Sequence, residues 1–336
     1  MRHTMRTPWL RFLPVLGAVV WLGACGGGGG SGGSSTPPPT GLTDAQRAQA
    51  ATTTAQSSAN ACAPIRPFYW EIGDVGAAKV FGSVSGAGDT PIAASTAMPI
   101  ASATKWLYAS YIAEVRGGVL TASDIQFLNF RSGYTNFSIC LQGQTVDSCL
   151  TAGNNGLQTP ANVGKFFYDG GHMQKHASLS GLGALNNAGL AAELRARLGT
   201  DVNLAFSQPQ PAGGGYSTAA DYARVLRKML SGQLRMGALL GSNPVCTNPL
   251  TCPQAIGTPI AATESWHYSV GHWVESDPVV GDGAFSSAGA FGFYPWIDAS
   301  KTWYGVLARQ GGAGSGANSV ACGRLVRKAW VTGIAQ

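Results

Sequence analysis

Ser102 and Lys105 stand three residues apart in MPIASATKWLYASYIAEVRGG, residues 98–118. That spacing puts two side chains on one face of a helix. Trp106, Leu107, Tyr108, Ile112 and Val115 make the helix apolar nearly all round, so it is expected to be buried. Burial disfavours a charged amine and lowers its pKa. A neutral lysine can then take the proton of a neighbouring serine, which is too weak a nucleophile unaided. A helix start also offers free backbone N–H groups and a partial positive charge to an oxyanion formed near Ser102. The bland alternative is an N-capping serine beside a snorkelling lysine. S-x-x-K recurs by chance, but Ser102 is the only serine three residues ahead of any of the seven lysines.

Other reactive patterns are weaker. Gly29-Gly30-Ser31-Gly32-Gly33 matches G-x-S-x-G in letters, yet it lies in a low-complexity run without the strand and helix a nucleophile elbow requires. His172 and His176 are four apart, and His267 and His272 five apart. The HMQKH segment lacks the glutamate that serves as general base in H-E-x-x-H. No metal and no cofactor are expected.

The elements that must position Ser102 follow from periodicity and punctuation. Thr43 caps a helix running to about Gln56. PFYWEIGDVGAAKVFGSVSG reads as a β-hairpin. A loop from Pro91 to Ile100 leads into the Ser102 helix, which stops at Gly117-Gly118. Residues 119–165 and 236–262 are turn-rich, while Gly170 to Arg197 is mostly helical. Thr218-Ala-Ala-Asp221 opens another helix as a capping box. HYSVGHWVES, SSAGAFGFYPWID and TWYGVLARQ read as three strands, and SVACGRLVRKAWVTGI as a final helix. The expected class is α+β, an α/β sandwich: an antiparallel sheet completed by both ends of the chain, flanked by helices, with a mostly helical lobe inserted.

The chain has 336 residues, 45% hydrophobic and 11% charged, which suits a large core and argues against disorder. The net charge is +6, but Arg2, Arg6 and Arg11 fall in an apolar leader. The remainder carries no clustered basic patch, so nucleic acid is not an expected partner. The apolar run Phe12–Leu22 is too short to span a bilayer. It ends in Leu22-Gly23-Ala24-Cys25, which resembles the lipobox of bacterial lipoproteins. That resemblance implies a signal peptide over 1–25, lipidation of Cys25, and export to the bacterial cell envelope, on the periplasmic side or at the outer membrane. Residues 26–40 (GGGGGSGGSSTPPPT) form a tether, and 41–336 the domain. Six further cysteines suit an exported, disulfide-bonded protein. Cys140 and Cys149 are near neighbours, as are Cys246 and Cys252. Cys62 and Cys322 would then pair by default, although six cysteines allow 15 connectivities.

With this element order, the S-x-x-K site resembles that of the serine β-lactamase and penicillin-binding-protein superfamily. It is most similar to the class C-like branch, which includes carboxylesterases and D-alanyl-D-alanine carboxypeptidases. The resemblance implies the β-lactamase-like fold, an acylated Ser102 and an activating Lys105. A second-motif tyrosine falls at Tyr168 in KFFYDGGHMQ, similar to an F-x-Y-S-N/G-x-G segment of the esterases. Tyr134-Thr135-Asn136 is the competing match. A phenol near a cationic lysine would ionise more easily and relay a proton. AGGGYSTAADYARVL, residues 212–226, resembles a structural family segment. In place of K-T-G stands Ser287-Ala288-Gly289-Ala290, with Lys301-Thr302 rejected because Trp303 follows. The N–H groups of Ser102 and Ala290 would form the oxyanion hole, and Ser287, Gly289, Trp266 and Arg309 would meet substrate. The family's substrate-carboxylate cation is missing at Ser287, and Gly170 replaces an amide-binding asparagine. The expected activity is therefore hydrolysis of a neutral ester, or an amide, through an acyl-enzyme. Carboxypeptidase or β-lactamase activity, and a non-catalytic envelope-binding module, are the alternatives.

Overall fold

The computed structural model describes residues 41–336. The leader, Cys25 and the 26–40 tether lie outside the described residues.

Eight strands form one antiparallel sheet in the order Ala78–Val84, Phe68–Gly73, Tyr304–Ala308, Tyr294–Ile297, Phe285–Ser286, His272–Val274, His267–Ser269 and Val245–Cys246. The N-terminal hairpin thus pairs with the last strand, Tyr69 opposite Ala308 and Gly73 opposite Tyr304. Phe68–Gly73 and Tyr304–Ala308 are buried at every position, as central strands covered on both faces must be. On one face Tyr294 packs under Gly323 of the C-terminal helix Ser315–Thr332. On the other, the Tyr304 hydroxyl receives a hydrogen bond from Arg227 at 2.8 Å, on helix Ala219–Leu230. The N-terminal helix Asp44–Gln56 packs against the C-terminal one. Its start is fixed by the box of Thr43 and Gln46.

The chain contains the disulfides Cys62–Cys322, Cys140–Cys149 and Cys246–Cys252. The first spans 260 residues of sequence and ties the approach to the first strand to the C-terminal helix.

Two of the three expected tail strands are each divided. HYSVGHWVES turns at Val270 and Gly271, which sit at φ 27° and 86°, giving a tight hairpin rather than one strand. A Cβ on Gly271 would lie 2.3 Å from the Ala109 Cβ, so the turn presses on the helix that follows Ser102. SSAGAFGFYPWID breaks between Ser286 and Tyr294, where Gly292 takes φ 105°. Two small sheets, of three short strands and of two, arise largely in stretches read as loops. Met98–Pro99 and Ala205–Phe206 flank Gly215–Ser217, and Phe166–Phe167 runs parallel to Ala255–Gly257. Ladders of two or three residues show no period in sequence. These two small sheets deliver Ser102 and Tyr168 to the same place.

Candidate active site

Ser102 lies in a 3₁₀ turn, Ala101–Ala103, immediately before helix Thr104–Val115. The helix was expected to carry both residues; Ser102 instead precedes it. Ala101 sits at φ 44°, a left-handed conformation that costs a non-glycine residue about 1–3 kcal/mol and persists only where its surroundings enforce it. Four hydrogen bonds do so. Ile100 N–H donates to Gly215 O at 3.0 Å and Thr104 Oγ1 to Ala101 O at 2.6 Å. Gly215 N–H donates to Thr104 Oγ1 at 3.1 Å and the Tyr222 hydroxyl to Ala103 O at 2.8 Å. The AGGG segment and the helix after it therefore clamp the serine turn.

Lys105 is buried, one helical turn on. Its Nζ is 2.9 Å from Ser102 Oγ and donates to Ala212 O at 2.5 Å. Burial lowers its pKa from 10.5 to about 7, opposed only by the charge of Asp169. Asp169 is itself pushed up by burial, despite backbone N–H bonds from Gly171 and Phe137, so that opposition is weak. The amine is thus poised to exchange a proton with Ser102 near neutral pH. Ala212 O and Asp169 both escape the sequence reading. The 212–226 segment reads as purely structural, yet its first carbonyl orients the lysine.

Tyr168 follows the Phe166–Phe167 ladder, and its N–H donates to Gly257 O at 3.0 Å. Its ring stacks on Trp273 with centroids 5.2 Å apart, and Lys105 Nζ lies 4.8 Å from the ring centroid. Burial pushes the phenol up to about 12, with the neighbouring Ser102 and Trp273 lowering it only in part. The expectation of an easily ionised phenol is therefore corrected: the lysine faces the ring, and desolvation dominates. Tyr168 stays protonated at neutral pH and can donate a hydrogen bond or a proton. Tyr134 instead stacks on Phe127 at 5.9 Å, and Asn136 hydrogen-bonds to Leu157 O and Thr159 Oγ1. Tyr168→Phe is expected to lower kcat by about 10²- to 10⁴-fold and to leave in place the pH limb expected near 7 from Lys105. A pH–rate profile of the variant checks this; loss of that limb would reassign it.

Gly289 and Ala290 lie in the loop between strands Phe285–Ser286 and Tyr294–Ile297, beside the serine turn. Neither Ser102 N–H nor Ala290 N–H enters a backbone hydrogen bond among the described residues, as oxyanion donors require. Ser287 is placed differently from the expectation. Buried, it donates to Ser102 O at 3.1 Å and so fixes the turn rather than facing substrate. Arg309 is also outside the cleft lining; its Cγ packs against Gly292. Lys301 occupies a turn, its Nζ 5.5 Å from the Phe285 ring centroid.

Ser102 and Tyr168 open onto a cleft of about 410 Å³ walled by Ile260, Trp266, Trp273, Ala288 and Val320. Two charged residues line it, Glu264 and Arg324, and they pair at 2.9 Å. Sequence reading missed both, because residues 60 positions apart show no local signal. The histidines have separate structural partners: Ser132 and Phe167 O for His172, Tyr108 and Asp124 for His176, Ser276 for His267 and Gly241 N–H for His272.

Sheet, helical lobe and serine turn together are the β-lactamase-like fold, and solved structures share it. A β-lactamase/D-alanine carboxypeptidase from Yersinia pestis, complexed with citrate, superposes with a TM-score of 0.60 at 13% identity, over 87% of this chain and 100% of its own. EstCE1, a hydrolase with promiscuous acyltransferase activity, gives 0.53 at 12% identity over 84% and 98%. The D-amino acid amidase of Ochrobactrum anthropi SV3 gives 0.53 at 14% over 79% and 93%. No protein-family model matches the sequence, and no curated protein matches it.

Proposed function

We propose that residues 41–336 form a serine hydrolase that cleaves neutral carboxylic esters through an acyl-enzyme on Ser102. The observation that carries this reading is Lys105 Nζ at 2.9 Å from Ser102 Oγ, with its pKa lowered by burial to about 7, where Ser102 lines an apolar cleft. Neutral Lys105 accepts the Ser102 proton as Oγ attacks the ester carbonyl. The amides of Ser102 and Ala290 receive the oxyanion, at a turn whose geometry is already fixed. Lys105, now charged, returns the proton towards the leaving alkoxide, with the Tyr168 hydroxyl as donor. Water then attacks the acyl group along the same proton path, and Ser102 is regenerated.

Substrate neutrality is supported by the cleft's charges: the one guanidinium in its lining is already paired with carboxylates. β-Lactamase or carboxypeptidase activity is the second reading, favoured by the likeness to the Yersinia pestis structure. Anchoring of the domain to the cell envelope through lipid on Cys25 is a separate proposal from the leader sequence. Metabolic labelling with a palmitate analogue, lost in Cys25→Ser, tests it.

The catalytic reading is tested on the mature domain with a fluorophosphonate and p-nitrophenyl butyrate. Labelling and turnover are expected in the wild type and neither in Ser102→Ala. Equal behaviour of the two proteins sinks the enzyme reading. Nitrocefin in parallel separates the substrate classes: fast, Ser102-dependent hydrolysis would favour the β-lactamase reading over the esterase.

A further inference from the structure

A bare guanidinium beside Ser102 would draw substrates that carry a carboxylate, because its fork of N–H donors matches one. The C-terminal helix places such a group, Arg324, in the cleft wall. In this chain two of its three nitrogens already donate to carboxylates. Nη2 donates to Glu264 Oε2 and Nε to Glu275 Oε2, both at 2.9 Å, and the guanidinium carbon lies 4.6 Å from the Trp266 ring centroid. Glu264 Oε2 also accepts from Trp266 Nε1 at 2.7 Å.

The two glutamates differ in position. The Glu275 side chain is wholly buried, whereas that of Glu264 is 25% exposed and lines the cleft with Arg324. Behind them Arg327 is held by Glu275 and Asp282, so three carboxylates serve two guanidiniums. Glu275 anchors Arg324 through Nε; Glu264, which itself lines the cleft, holds Nη2.

We propose that Glu264 is a specificity-determining residue, a built-in stand-in for a substrate carboxylate that makes this cleft select uncharged acyl groups. An acyl group ending in a carboxylate must displace Glu264 from Arg324 or lie beside it unpaired, and either way it is disfavoured relative to a neutral one. Without the Glu264 charge, Arg324 keeps its Glu275 bond and its seat on Trp266, and its Nη2 becomes free for a ligand. The inference rests on the hydrolase reading of Ser102 and deepens it.

The experiment compares p-nitrophenyl butyrate with mono-p-nitrophenyl succinate, which are similar in length and differ by one carboxylate. Wild type is expected to prefer the butyrate. In Glu264→Gln the succinate-to-butyrate ratio of kcat/KM is expected to rise about tenfold or more, the scale of one charge-assisted hydrogen bond. Glu264→Ala should do the same, and adding Arg324→Gln should abolish the gain. The same selectivity is read without turnover by calorimetry in the Ser102→Ala background, using butyramide and succinamate. An unchanged ratio in both Glu264 variants, or a gain that survives Arg324→Gln, overturns the proposal. A wild type that hydrolyses neither ester overturns the hydrolase reading instead, and the calorimetric comparison still decides the role of Glu264.

Discussion

Lys105→Met is expected to lower kcat/KM for p-nitrophenyl butyrate by about 10³-fold, within the range for loss of a general base, while raising thermal stability below neutral pH. Both effects have one cause. The amine is held in an apolar interior, where burial lowers its pKa from 10.5 to about 7. The folded state therefore resists protonation and the unfolded chain does not. Between pH 7 and 10.5 the unfolded state binds more protons, so stability rises with pH across that window. Below pH 7 the whole penalty is present. Methionine fills similar volume without a charge, so its advantage is largest at pH 6 and shrinks by pH 9. Ala212 O loses its donor in the variant, which offsets part of the gain by about 1–3 kcal/mol. Thermal melts at the two pH values read the sign, and wild-type kcat/KM should climb as pH rises through about 7. A variant with wild-type turnover, or with a stability difference independent of pH, removes Lys105 from the role of base.

Gly289→Ala is the second large expectation. A Cβ there would lie 2.2 Å from the Ile100 carbonyl oxygen and 3.4 Å from the Ala101 Cβ. Neither neighbour can yield cheaply, because both belong to the turn that holds Ser102. Gly289 also donates its N–H to Phe293 O at 2.7 Å, so the loop bearing Ala290 is tied on its other side. The added methyl must push that loop from the serine turn and carry the Ala290 N–H out of line. Loss of one oxyanion donor costs about 10²- to 10³-fold in kcat, and that fall is the expected result. Overpacking of this size costs about 1–3 kcal/mol, a fall of several degrees in Tm for a domain of this length. Fluorophosphonate labelling rates and a melt of the same preparation separate the two. An unchanged labelling rate would mean that this loop does not supply the oxyanion site.

Elements whose cause is local are legible in the order of residues alone. Thr43 with Gln46 and Thr218 with Asp221 start helices through side chains three residues apart. Gly117 and Gly118, at φ 63° and 87°, stop the Lys105 helix where only glycine turns easily. The pairing of Ser102 with Lys105 was legible for the same reason, since one helical turn sets their distance whatever surrounds them. Tyr168 needed the family resemblance, and its protonation state could not be read at all. A phenol near a lysine ionises more easily in water, but here burial outweighs the neighbour.

Features that emerge only on folding have one thing in common: the partner is distant in sequence or is backbone. Ala212 O holds Lys105 from 107 residues away, and a carbonyl oxygen has no letter in a sequence. Ser287 reads as a substrate contact until the fold turns its hydroxyl onto the Ser102 carbonyl. Strand Phe285–Ser286 forms because its neighbours pair with it, not because two residues have a period. Glu264 and Arg324 meet only when the C-terminal helix closes over the sheet. Chain-local chemistry set which atoms can react. Long-range packing set the pKa of the lysine, the shape of the cleft and the charge that a substrate meets on entering it.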